Sequence, residues 1–274
     1  MRTERVGDLV FGVLGAGEEA GSGSPEIVLV HGIGVSHRYY ERLHARLART
    51  ARVASIDLPG FGGLPKPHWN PSIGDMAAAL AEVLDRLEVR QAVLVGQSMG
   101  AQWVTELAVR RPDLASRVVL IGPVSDERHR TAFSQGIALL ADILREPPHS
   151  NLTVLTDYVR CGPRWFGAQL QWMLSYRLED AVAQLTMPLL LLRGARDPIA
   201  GLRWCRRLRS RARAARLVLV PKAPHNAQTT APVAVASAVL DFVAADVVDA
   251  VDSAHAAHRT ERVDPAGPAI TDVA

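Results

Sequence analysis

The chemistry in this chain gathers around one serine. Gly96-Gln97-Ser98-Met99-Gly100 stands between an apolar run, Ala92 to Val95, and a helical pattern that begins at Gly100. A strand that runs straight into a helix must turn sharply. Small residues two before and two after the serine let the backbone pass its neighbours. The hydroxyl is then presented above the sheet, at a helix N-terminus that favours developing negative charge. A plain serine N-cap would use the same residue types, but the flanking strand and helix favour a nucleophile. A hydroxyl nucleophile needs a base. Of nine histidines, His225 stands out: it follows the apolar run Leu217 to Val220 in Pro-Lys-Ala-Pro-His-Asn, just before the last helical pattern. The base in turn needs a carboxylate to hold its tautomer. Asp197, in Arg-Gly-Ala-Arg-Asp-Pro after the run Pro188 to Leu192, is the expected partner. Asp126, shortly after Arg117 to Ile121, could reach the same histidine. Acyl transfer also requires donors for an oxyanion. The turn His31-Gly32-Ile33-Gly34 follows the run Ile27 to Val30, and the Ile33 N–H is expected to pair with that of Met99.

These residues need a scaffold that brings several strand ends together. Short β-branched runs alternate with helical stretches, which predicts a parallel sheet with crossover helices. Strands are expected at Leu9–Leu14, Ile27–Val30, Arg52–Ile56, Ala92–Val95, Arg117–Ile121, Pro188–Leu192 and Leu217–Val220. Helices are expected at Tyr39–Ala48, Ser72–Leu87, Gly100–Arg110, Ile199–Ser210 and Pro232–Ala244, with Ser72 and Asp75 spaced close to a capping box. The rhythm breaks between Val124 and about Leu185. There Ala132–Arg145 and Arg164–Tyr176 read as helices around Pro147-Pro148. This predicts a core of residues 1–123 and 187–246, a helical cap at 124–186, and a disordered tail at 247–274, which lacks large apolar residues.

With these segments in place, the sequence resembles the α/β-hydrolase superfamily, in its lid-bearing esterase and C–C hydrolase form. The features that carry the resemblance are His31-Gly32-Ile33-Gly34, Asp57-Leu58-Pro59-Gly60-Phe61-Gly62, Gly96-Gln97-Ser98-Met99-Gly100, Gly194-Ala195-Arg196-Asp197-Pro198 and Pro224-His225, in the family's order. Many relatives carry histidine where Gln97 stands. The resemblance implies an eight-stranded, mostly parallel α/β sheet flanked by helices. It further implies a helical cap after the sixth strand, and a Ser98–Asp197–His225 triad that works without cofactor or metal.

Six of the 14 aromatic residues fall within the expected cap, so its inner face is expected to roof an apolar pocket. Trp165, Trp172 and Tyr176 share one helical face with Gln169 and Met173 and are the expected substrate contacts; gluing the cap to the core would use the same face. A small-molecule ester, thioester or lactone with an apolar or aromatic group is the expected substrate. C–C cleavage of a vinylogous diketone needs the same triad, and a small-molecule sensor could retain it, so these residues do not separate the three. The net charge of +3 and pI near 9.2 raise nucleic-acid binding. The dense run Arg203 to Arg216 points in several directions around a helix, which argues against it. No apolar run approaches the ~20 residues of a membrane span, and the first residues lack a signal-peptide core, so a cytoplasmic protein is expected. Cys161 and Cys205 read as free thiols, and His255 and His258 have no third metal ligand in view. Nothing in the pattern specifies an oligomeric state.

Overall fold

The computed structural model describes residues 1–15, 24–126 and 148–245. Eight strands form one sheet: β1 Arg2–Val6, β2 Leu9–Leu14, β3 Glu26–Val30, β4 Arg52–Asp57, β5 Ala92–Gln97, β6 Ala115–Ile121, β7 Leu189–Gly194 and β8 Ala215–Val220. Their order is β1-β2-β4-β3-β5-β6-β7-β8. β1 and β2 pair antiparallel with each other, and β2 pairs antiparallel with β4; the remaining pairs are parallel. The mostly parallel, helix-flanked α/β sheet expected from the sequence is therefore present.

The central strands read as continuous apolar runs because both of their faces are covered. Val28, Val30, Leu94, Val118 and Leu120 join one buried cluster, completed by α2 (Ile73–Arg86) and α3 (Gly100–Arg110). The alternate residues Ile27, Leu29, Val93, Val95 and Val119 join the other. That second layer is completed by α1 (Glu41–Leu47) and by the last helix, described over 232–245, through Val235, Val239 and Phe242. Ser72 and Asp75 form the full capping box that starts α2: each side chain accepts from the other residue's backbone N–H.

Between β6 and β7 the structure describes three helices: α4 Pro148–Cys161, α5 Pro163–Ser175 and α6 Leu178–Val182. The sequence pattern shows α5 but not α4. Thr, Val, Ser and Asn are modest helix formers, and the start signal is a proline in the first turn, which also reads as a break. β1 also escapes the pattern. It is a polar edge strand whose pairing with β2, not its hydrophobicity, makes it a strand. The expected helix Ala132–Arg145, the tail 247–274 and His255 and His258 lie outside the described residues.

The arginine-rich helix α7 (Leu202–Arg211) buries Trp204, Cys205 and Leu208 and exposes Arg203, Arg206, Arg207 and Arg209 to solvent. Among the described residues no helix is long and apolar enough to cross a membrane.

Candidate active site

The sheet reverses its winding between β3 and β5: β4 lies beyond one and β6 beyond the other. In open α/β sheets the crevice at the carboxyl ends of such strands is where ligands collect. The turn after β3 and Ser98 after β5 flank this crevice.

Ser98 has φ +55, a left-handed conformation that a non-glycine residue adopts only when its surroundings hold it there. The glycines around it explain how. A Cβ on Gly96 would fall on the backbone of Gly100, and one on Gly100 would fall on the carbonyls of Val30 and His31. The start of α3 therefore packs directly on the end of β3. The hydroxyl-bearing residue itself is 9% exposed.

Hydrogen bonds then run across the strand ends. Ser98 N donates to Ile121 O at 2.9 Å, Gly122 N to Leu192 O at 2.8 Å, and Ala195 N to Val220 O at 2.9 Å. This chain ties the serine turn, through β6 and β7, to the segment after β8 that carries His225. A Cβ built on Gly122 would lie 2.9 Å from His225 Cε1, so the imidazole sits against the end of β6, next to the residue that holds Ser98.

His225 is buried, and its Nδ1 lies 2.9 Å from Asp197 Oδ2. The other carboxylate oxygen of Asp197 accepts from Ile199 N at 2.7 Å and Ala200 N at 2.9 Å. Burial alone would raise the Asp197 pKa. The neighbouring His225 and the two backbone donors outweigh it, and the net shift is downward. Asp197 is thus held as a carboxylate, and the hydrogen on Nδ1 that it favours leaves Nε2 as the acceptor. Arg193, which sequence reasoning passed over, builds this turn from within: its guanidinium donates to the carbonyls of Ala195, Asp197 and Ala200. Of the two candidate carboxylates, Asp197 is hydrogen-bonded to His225. Asp126 is placed beside Gly201, with Oδ2 at 3.9 Å from a Cβ built there.

The turn after β3 approaches the serine closely. A Cβ on Gly32 would lie 2.9 Å from Ser98 Cβ and 2.7 Å from Gln97 Oε1, so only glycine lets the turn come this near. Ile33 and Met99 are both buried. Among the described residues neither N–H donates to a backbone carbonyl. His31 steadies the turn: its Nε2 accepts from Leu58 N at 3.1 Å, which leaves Nδ1 to donate to Gly32 O at 2.7 Å. Burial lowers the His31 pKa, consistent with a neutral ring.

A second histidine–aspartate pair, missed in the sequence, lies beside this turn. His37 Nδ1 is 2.6 Å from Asp57 Oδ2, and the His37 N–H donates to Oδ1 of the same buried carboxylate. Asp57 opens the Asp-Leu-Pro-Gly-Phe-Gly motif; that motif was the available signal. The hydrogen bond to Asp57 raises the His37 pKa above 6.5, against partial burial and Arg38, with the Asp57 and Asp157 charges adding to the rise. A raised folded-state pKa stabilises the fold fully below pH 6.5, and that contribution is lost as pH rises through the folded value. The melting-temperature gap between wild type and His37→Gln is therefore expected to be widest near about pH 6 and to narrow by about pH 9. Melts across that range check it; a gap independent of pH would refute it.

The aromatic residues of α5 face the core. The Trp165 ring packs on Phe61 at 6.1 Å between centroids and over Gly60. It also walls a groove of about 580 Å³ that Lys66, His68, Trp69, Cys161 and Arg164 help to line. None of Ser98, Asp197 and His225 lines that groove. Tyr176 OH donates to Glu106 Oε2 on α3 at 2.8 Å, and Trp172 is half-buried against the core. Gln169 donates to Asn70 Oδ1 and Pro71 O. Gln102 of α3 and Ser125 both donate to Met173 O. Both cysteines are free and buried, and burial pushes Cys161 up to about 11 and Cys205 up to about 12. Neither thiol is poised to compete as a nucleophile. Among the described residues no three His, Cys, Asp or Glu side chains form a candidate metal site.

The Alpha/beta hydrolase family matches residues 27–238 of this chain. Over 144 residues the chain is 33% identical to 2-hydroxy-6-oxo-2,4-heptadienoate hydrolase of Pseudomonas putida, a stretch that covers 51% of this chain and 50% of that protein. It is 24% identical over 247 residues to pimeloyl-[acyl-carrier protein] methyl ester esterase of Vibrio vulnificus, covering 80% and 94%. Among solved structures, the enol-lactonase of Burkholderia xenovorans superposes with a TM-score of 0.77 at 22% identity, covering 88% of this chain and 99% of that one. Several of the curated relatives are matched over only 30% to 51% of their own length.

Proposed function

Because the chain belongs to the alpha/beta hydrolase family, we propose that it is a serine hydrolase that cleaves an apolar or aromatic ester, thioester or lactone. The observation that carries this reading is the conjunction of a left-handed Ser98 with a buried His225–Asp197 pair tied to the same strand ends. Ser98 Oγ attacks the carbonyl carbon as His225 Nε2 takes its proton. Asp197 stabilises the imidazolium. The N–H groups of Ile33 and Met99 receive the oxyanion. The tetrahedral intermediate collapses, the leaving group takes the proton from His225, and an acyl-enzyme on Ser98 is hydrolysed by water through the same steps. The chemistry needs no cofactor or metal, and the partner is a small molecule. Residues 124–186 serve as the cap over the site.

Cleavage of a C–C bond in a vinylogous diketone is the second reading. The similarity to a hydrolase of 2-hydroxy-6-oxo-2,4-heptadienoate favours it. Acyl p-nitrophenyl esters of increasing chain length, assayed beside lactones and diketones, separate the two. Turnover of esters and lactones supports the first; turnover of diketones alone replaces it with the second.

Trp165 and Tyr176 also hold α5 to the core, so Trp172 is the sharper probe of the substrate wall. If Trp172 contacts the acyl group, Trp172→Ala lowers kcat/KM roughly 10- to 200-fold for a bulky apolar ester and far less for an acetate. Equal losses for both esters with a lower Tm would mark Trp172 as packing alone.

A further inference from the structure

The turn that carries Ile33 is held from two sides. From the core, His31 accepts from Leu58 N and His37 is paired to Asp57. From the opposite side it meets α4, more than 110 positions later in the chain. Asp157 of α4 is a buried carboxylate, 1% exposed. Its Oδ2 accepts from Ser36 Oγ at 2.6 Å and its Oδ1 from Arg38 Nη1 at 3.1 Å. The next residue, Tyr158, lays its ring on Gly34: a Cβ built there would lie 2.6 Å from Tyr158 Cε1. Gly34 has φ +80, so the backbone beside Ile33 takes a conformation that this ring covers. The ring is itself braced by Phe166 of α5, at 5.4 Å between centroids.

A carboxylate with so little exposure is costly to bury unless it is fully paired. Here its partners are the residues that follow the oxyanion turn, and a nearby solvent-facing charge, Arg160, adds only a longer contact at 3.8 Å. The cost of burying Asp157 is therefore offset only when α4 sits on the turn.

We infer that α4 sets the oxyanion turn, with Asp157 and Tyr158 as positioning residues that couple the seating of α4 to the donor geometry at Ile33. The inference rests on the serine-hydrolase reading. Neither residue touches the reacting atoms. Asp157 holds the side chains of Ser36 and Arg38, and the Tyr158 ring covers the backbone at Gly34, so together they bracket the path of the chain after Ile33. The consequence is specific: a turn that relaxes still binds substrate but no longer meets the oxyanion, which forms only in the transition state. Loss of either contact therefore acts on kcat and leaves KM largely alone.

The test measures kcat and KM on an ester that wild type hydrolyses, the rate at which a fluorophosphonate labels Ser98, and Tm. Asp157→Ala and Tyr158→Ala are each expected to lower kcat and the labelling rate by roughly 10- to 100-fold, the scale of a small misplacement at a reacting centre. KM is expected to stay within about threefold, because substrate binding is separable from transition-state stabilisation. Tyr158→Phe keeps the ring on Gly34 and is expected to retain most of the kcat that Tyr158→Ala loses. Ser36→Ala breaks the same link from the core side, so its effect should be largely absorbed in the Asp157→Ala background. Variants that melt earlier but keep wild-type kcat and labelling would overturn the inference. So would a rise in KM with kcat unchanged, or a Tyr158→Phe as damaged as Tyr158→Ala. If Asp157→Ala does not fold, Tyr158→Ala against Tyr158→Phe decides alone. Wild type that turns over substrate without taking label at Ser98 would sink the serine reading, and this inference with it. Labelled wild type beside unaffected variants sinks only the inference.

Discussion

Ser98→Ala is expected to remove turnover, by about 10⁶-fold if the residue acts as the nucleophile within a cooperating triad. The change deletes one oxygen from a 9% exposed side chain and leaves the elbow intact. Alanine and serine carry the same Cβ, so the strain of a left-handed residue between Gly96 and Gly100 is much the same for both. Tm should therefore move little. A fluorophosphonate should label wild type at Ser98 and leave the variant unlabelled. What remains in the variant is binding and the oxyanion donors, which by themselves accelerate hydrolysis about 10³- to 10⁴-fold over water. An alanine variant with substantial turnover, or wild-type labelling at another residue, would remove Ser98 from its role.

Asp197→Asn is expected to cost about 10³- to 10⁴-fold in kcat, with little change in KM. The reason is a tautomer. The substituted amide would still offer its oxygen to the N–H groups of Ile199 and Ala200, as Oδ1 does now. Its nitrogen would then face His225 Nδ1, where Oδ2 now stands at 2.9 Å. A donor in that place makes Nδ1 an acceptor and moves the ring proton to Nε2, the atom that must accept from the serine. The imidazolium also loses its counter-charge. Asp126→Asn is the control and should cost little, since it is Asp197 whose Oδ2 lies against His225 Nδ1. If Asp126→Asn proved the more damaging change, the carboxylate of the triad would be Asp126.

Much of this arrangement is legible in the order of the residues. The elbow is a local device, and its glycines, strand and helix lie within about ten residues of Ser98. The apolar runs that form the inner strands β3, β5, β6 and β7 are local too, because strands buried on both faces must be continuously hydrophobic. The capping box at Ser72 and Asp75 follows from a three-residue spacing, and the solvent-facing arginines of α7 from helical geometry. The succession of serine, aspartate and histidine along the chain can be read off as well.

What the pattern leaves open are pairings between distant segments. Asp197 and Asp126 both follow strands and both precede the histidine. Only the hydrogen bonds from the β7 turn to the β8 loop, Ala195 N to Val220 O and Arg196 N to Ala223 O, decide which carboxylate arrives at His225. β1 is a strand because β2 offers it an edge, a fact that its polar residues do not announce. α4 begins at a proline that reads equally as a stop. Ser36 and Asp157 are 121 positions apart, and neither has a neighbour in sequence that predicts the other. Local propensity and periodicity act over a turn of helix or a few residues of strand, so they specify elements. The contact that aims the carboxylate spans 28 positions and the one that braces the turn spans 121, so both form only when packing closes long loops, and that is decided by the tertiary structure alone.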